Sequence, residues 1–119
     1  MATSLINPNM INPNLNKAFF GSAVAIPFAA NITPDLSQGN IFTVTQTGNM
    51  TIGNPTVLDN GFYFLYVIVD ATGSYTLGFD NEWNLLGSGS YFNTPNSVNI
   101  IEFMTFSGQT TVQYYIDQR

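Results

Sequence analysis

At 119 residues the chain is long enough for one domain with a modest core and too short for two. Hydrophobic residues make up 45% and charged residues 8%, against about 25% charged in an ordinary globular domain. Net charge is −5 with Lys17 and Arg119 as the only cations, so neither nucleic acid nor an anionic membrane surface is expected as a partner.

Residues 1–30 read as an extended amino-terminal arm and 31–119 as the folded domain. The arm holds the one internal repeat, Ile6, Asn7, Pro8, Asn9 followed by Ile11, Asn12, Pro13, Asn14. Each proline removes a backbone donor and drives the residue before it out of the α region, so helix and central strand are both disfavoured. The apolar residues of the arm are too sparse for a core of their own. Ile6, Ile11, Leu15, Phe19 and Phe20 are the candidate assembly anchors, ordering on a neighbouring subunit. The start lacks the basic end and apolar run of a signal peptide, which predicts synthesis and folding in a cytoplasm.

Residues 23–32 form a candidate first strand, interrupted or held at an edge by Pro27. A second run covers 40–47, with Phe42, Val44 and Gln46 on one face and Ile41, Thr43, Thr45 and Thr47 on the other. Gly48 and Asn49 read as a hairpin turn into a short strand at 50–53. Residues 62–69, FYFLYVIV, are the most apolar run and suit a central strand covered on both faces. Further strands are predicted at 74–79, 83–86, 98–106 and 109–116, the last two joined at Ser107 and Gly108. Short strands at this spacing, separated by Gly, Pro and Asn, predict an all-β fold: an antiparallel β-sandwich, jelly-roll-like, with the arm extending from it.

The chain has no histidine and no cysteine, which removes Ser-His-Asp and Cys-His catalysis, imidazole and thiolate metal sites, and disulfides. Gly87, Ser88, Gly89 and Ser90 lack the lysine of a phosphate-binding loop. Asp80 and Glu82 share a strand face at roughly 7 Å, the spacing of a glycosidase pair, but such pairs more often sit in solvated turns. The same carboxylates with Asp59, Asn60 or Asp70 offer the hard oxygens that calcium takes, but without EF-hand spacing the signal is weak. No enzyme activity, cofactor or metal is expected. Trp83 and Tyr91, near the 87–90 loop, are candidate glycan contacts, although a core anchor is the commoner role for such a tryptophan.

The order Asp35, Leu36, Ser37, then Gly39, Asn40, then Phe42, Thr43, Val44, Thr45, then Gly48, Asn49, then Thr51, Ile52 resembles a segment common in structural proteins of tailed bacteriophages. The similarity continues through the strand at 61–69, the turn at 70–73, the strand ending at Trp83 and the final hairpin, spanning about 33–117. The middle turn departs from that pattern, with Val69, Asp70, Ala71, Thr72, Gly73 and Ser74 where a Gln-Asp and a Gly-Gly-Arg element usually stand. The resemblance implies a non-enzymatic virion module of the kind found in tail fibres, baseplate-associated proteins and capsid decorations. Together with the low charge and the arm, it sets the leading expectation: a capsid decoration (cement) protein. Such a protein would bind the major capsid protein through arm and sandwich, associate with itself as a homotrimer, and join the virion in the host cytoplasm. The alternative is a tail-fibre or baseplate-associated module that binds a receptor or glycan.

Overall fold

A computed structural model describes residues 22–118. Among these there is no helix, and nine strands form two sheets. In chain order they are β1 (Val24–Ala25), β2 (Asn31–Ile32), β3 (Ile41–Gln46), β4 (Met50–Ile52), β5 (Gly61–Val69), β6 (Leu77–Phe79), β7 (Trp83–Leu85), β8 (Val98–Thr105) and β9 (Val112–Gln118). The larger sheet has the order β1-β3-β5-β8-β9-β7 and the smaller β2-β4-β6.

Consecutive strands in the amino-terminal half do not pair. β1, β3 and β5 lie in one sheet, while β2, β4 and β6, which follow them, lie in the other. Each pair is therefore a β-arch, a strand that bends through the core and returns on the opposite layer. The three arches stack in parallel. Val24 aligns with Phe42 and Phe42 with Leu65 on one layer; Ile32 aligns with Ile52 and Ile52 with Phe79 on the other. Backbone bonds extend the stack past the strand ends, with Thr51 N donating to Ala30 O at 2.8 Å and Asp80 N to Ile52 O at 2.9 Å.

The all-β sandwich stands, but its sheets are mixed rather than antiparallel and jelly-roll-like. Five of the seven strand pairings are parallel; β5 with β8 and β8 with β9 are the antiparallel ones. The reason is the route of the short links. Gly48 and Asn49 carry the chain across the core instead of back along the same sheet, so Phe42 and Val44 face Met50 and Ile52 within one cluster. Strand β1 also falls inside the stretch assigned from sequence to the arm. Residues 1–21, with the anchors Ile6, Ile11, Leu15, Phe19 and Phe20, lie outside the described residues.

The core is where the two layers meet. Phe42, Val44, Leu65, Val67, Ile101, Phe103 and Val112 are buried from the larger sheet against Ile32, Met50 and Ile52 from the smaller. At about 25 cal/mol per Å² of apolar surface removed from water, contacts of this kind supply most of the driving force for folding. Strand β5 lies between β3 and β8 with Tyr63, Leu65, Val67 and Val69 buried toward the core, but Phe62 and Ile68 on its other face are exposed, so it is covered on one face and not, as its composition suggested, on both.

Candidate functional site

The arches gather the connecting segments at two ends of the sandwich. One end collects 33–40, 53–60, 80–82 and 106–111; the other collects 46–49, 70–76 and 86–97.

The second end spends its polar groups on itself. Asp70 accepts from the N–H of Thr72 at 2.9 Å and of Gly73 at 3.2 Å, and from the Tyr75 hydroxyl at 2.9 Å. Burial pushes the Asp70 carboxyl up, but the Gly73 N–H, the Tyr75 hydroxyl and the Thr72 N–H outweigh it, leaving the group below its ordinary 3.8. Burial, then the bond to Asp70, pushes the Tyr75 phenol up. Gly73 has a φ of 68°, and a Cβ there would lie 2.8 Å from the carbonyl oxygen of Asn93, so the turn requires glycine. Asn99 is fully buried; its Oδ1 accepts from Phe92 N at 2.8 Å and its Nδ2 donates to Phe92 O at 2.9 Å. Gln46, also fully buried, donates to Thr76 O at 2.9 Å and accepts from the Tyr91 hydroxyl at 2.6 Å. Burial raises the Tyr91 phenol despite that bond.

The first end is built differently. Asn54 braces it: its Oδ1 accepts from Glu82 N at 3.0 Å and its Nδ2 donates to Asn81 Oδ1 at 2.8 Å. Thr110 donates to the Glu82 carboxylate at 2.7 Å. Beneath them the Trp83 indole N–H donates to Gly53 O at 2.9 Å, and its ring lies 5.0 Å from Phe103 and 5.4 Å from Phe79. On this support sits an open groove of about 390 Å³ lined by Asn54, Pro55, Thr56, Val57, Glu82, Gln109 and Thr110. A second depression of about 390 Å³ shares Thr56 and runs on to Leu58 and the 33–37 segment. Both are shallow, and their walls alternate amide, hydroxyl and carboxylate groups with the apolar Pro55, Val57 and Leu58.

The two candidate glycan residues are not brought together. Trp83 is 8% exposed and locked in the core at the open end, so neither face of its ring is offered to a ligand. Tyr91 lies at the opposite end with its hydroxyl committed to Gln46. Of the candidate carboxylate pair, Asp80 accepts from Asn81 N at 2.8 Å within its own turn, while Glu82 reaches across to Thr110. Among the described residues no three acidic side chains form a metal-holding group. The residues that sequence reading missed are Asn54 and Gln109, which carry no motif. Gln46 was visible in advance as a polar side chain on the face of Phe42 and Val44.

Residues 32–111, about two thirds of the 119, match the family model described as Putative phage tail fibre C-terminal domain. The chain belongs to that phage tail fibre family. No curated protein and no solved structure matches it. The tail fibre domain match runs from the last residue of β2 to the turn before β9, and so takes in the second and third arches, the open groove and the self-bonded end. The protein is thus a structural component of a phage virion, and the family description backs the tail-fibre alternative better than the capsid decoration expected first.

Proposed function

We propose that this tail fibre domain touches the host cell surface through its open end, holding the hydroxyls of a surface glycan in the groove between residues 54–57 and Gln109 and Thr110. The observation that carries this reading is the groove itself. Its floor is fixed by Asn54 and Trp83, while its rim residues Thr56 and Gln109 are exposed. A rigid floor with free polar groups above it binds with little ordering cost, and many copies on one particle turn a weak contact into a firm one. The stretch before β1 then joins the domain to neighbouring subunits through Ile6, Ile11, Leu15, Phe19 and Phe20.

Glycan-array binding of the full chain, compared with a Thr56→Ala, Gln109→Ala double variant, tests the contact. At least a tenfold loss in the variant is expected, with the fold unchanged by circular dichroism. Equal binding by both proteins would remove the groove from consideration. Labelled antibody on intact particles reads the location: decoration of tail tips is expected, and decoration of the head would restore the capsid partner.

A further inference from the structure

The charges of the chain are unevenly placed about the open groove. All seven acidic residues fall within the described residues, whereas the two cations, Lys17 and Arg119, fall outside them. Asp35, Asp59, Asp80 and Glu82 stand in the segments gathered at the open end. Asp70 is alone at the self-bonded end, and Glu102 and Asp117 lie on β8 and β9. Among the described residues the open end therefore carries four carboxylates and no positive group.

Hydrogen-bonding capacity in the groove is skewed the same way. Glu82, in its wall, accepts the Thr110 hydroxyl on Oε2 at 2.7 Å, and among the described residues no donor reaches its Oε1. Thr110, having donated its one proton, has only lone pairs left to offer. Asn54 spends one amide proton on Asn81 and its carbonyl on the Glu82 N–H. The donors left over are the Thr56 hydroxyl, the Gln109 amide and the second amide proton of Asn54, all of them neutral. An acidic sugar brings a carboxylate or phosphate, which only accepts and is best met by Arg or Lys. A neutral sugar brings hydroxyls, each able to donate to Glu82 and to accept from Gln109.

Building on the glycan contact proposed above, we propose that the groove selects uncharged glycans and turns away those built on uronic acid, sialic acid or phosphate, with Glu82 as the specificity-determining residue. A like charge ~6 Å away in water-like surroundings weakens binding about threefold, so two such carboxylates give roughly tenfold. Carboxylates beyond about 8 Å are largely screened at physiological ionic strength, which leaves Glu82, in the wall itself, as the main source. The same group grips a neutral sugar, because a hydroxyl bonds a carboxylate more strongly than it bonds a neutral acceptor.

The test places the full chain on an array of bacterial surface polysaccharides, with each uronic-acid polymer printed beside its carboxyl-reduced form. Reduction turns the carboxylate into a primary alcohol and leaves the rest of the sugar in place, so the two members differ in charge. Binding is expected to fall on polymers with neutral repeat units. Any uronic-acid polymer that binds should do so about tenfold tighter once reduced, with the gap narrowing as salt rises. Glu82→Gln keeps an acceptor for Thr110 but removes the charge, and should shrink that gap to about threefold. The wild-type comparison stands whether or not the variant folds. Equal binding to both members, or tighter binding to the acidic one, overturns the selectivity while leaving the glycan contact in place. A gap that a folded Glu82→Gln variant leaves unchanged overturns the role given to Glu82. Failure to bind any polysaccharide, neutral or acidic, overturns the glycan contact itself and the selectivity with it.

Discussion

The two ends of the sandwich are built from the same kinds of residue and use them in opposite ways. Asn and Thr recur at both. At the 70–76 and 91–97 end, Asp70, Asn99 and Gln46 each hold two or more partners from their own chain, and little hydrogen-bonding capacity is left for anything else. At the 54–57 and 107–110 end, Asn54 and Glu82 brace the backbone, while Thr56 and Gln109 stand on the rim. A polar loop in this chain is therefore either scaffold or contact surface, and what separates the two is where its hydrogen bonds end.

Replacement at the self-bonded end should do the most damage. Asn99→Ala strips both backbone partners from Phe92 and leaves a void in the core, a loss of about 2 kcal/mol that should lower Tm by roughly 8 °C in a scanning calorimeter. A Tm within a degree of wild type would show that this end does not depend on its internal bonds. The acid limb of the stability curve comes next. Because the Asp70 carboxyl is lowered in the folded state, its contribution is complete above about 3.8 and is lost as pH falls through the lowered value. The raised Tyr75 phenol works in the other direction: its share is complete below about 10 and is lost as pH climbs through the raised value. Denaturant midpoints for wild type should thus hold level between those limits. Asp70→Asn should lie below wild type at neutral pH and approach it in acid; parallel curves would separate Asp70 from the pH dependence. The smallest change belongs to the open end. Gln109→Ala and Thr56→Ala are each expected to shift stability by no more than about 0.5 kcal/mol, as exposed positions usually do. A larger loss would make the rim a structural element after all.

Strand positions were largely legible in the sequence, and pairing was not. Alternation placed β3, an unbroken apolar run placed β5 and the turn at Ser107 and Gly108 placed β8, each to within a residue or two, because these signals do not depend on what the strand pairs with. The sense of pairing depends instead on whether a link such as Thr47, Gly48 and Asn49 returns along its own sheet or crosses to the other. Phe42 and Val44 bury equally well against Met50 and Ile52 by either route, so alternation could not choose. Local turn chemistry favoured the hairpin, and tertiary packing of the arches prevailed. The same limit applied to the site. Trp83 stood out as the one tryptophan, yet its N–H found Gly53 and its ring found Phe79, Phe103 and Tyr114. The groove above it is made of residues thirty positions apart, which only the fold brings together.

The stacked arches also set the order in which the chain can fold. A hairpin closes as soon as its second strand is made, but each arch waits for the next one. Val24 needs Phe42, and Phe42 needs Leu65. On its other side β5 needs β8, whose last residue is Thr105, and β7 finds its place only beside β9. Most contacts are thus distant along the chain, the condition under which domains fold slowly. On a ribosome that releases the amino end first, the arches can stack on one another as they emerge, but β5 lacks its second neighbour until β8 is made. Closing β8 on β9 is the one local hairpin among the described strands, and it is the step that gives β5 and β7 their remaining neighbours.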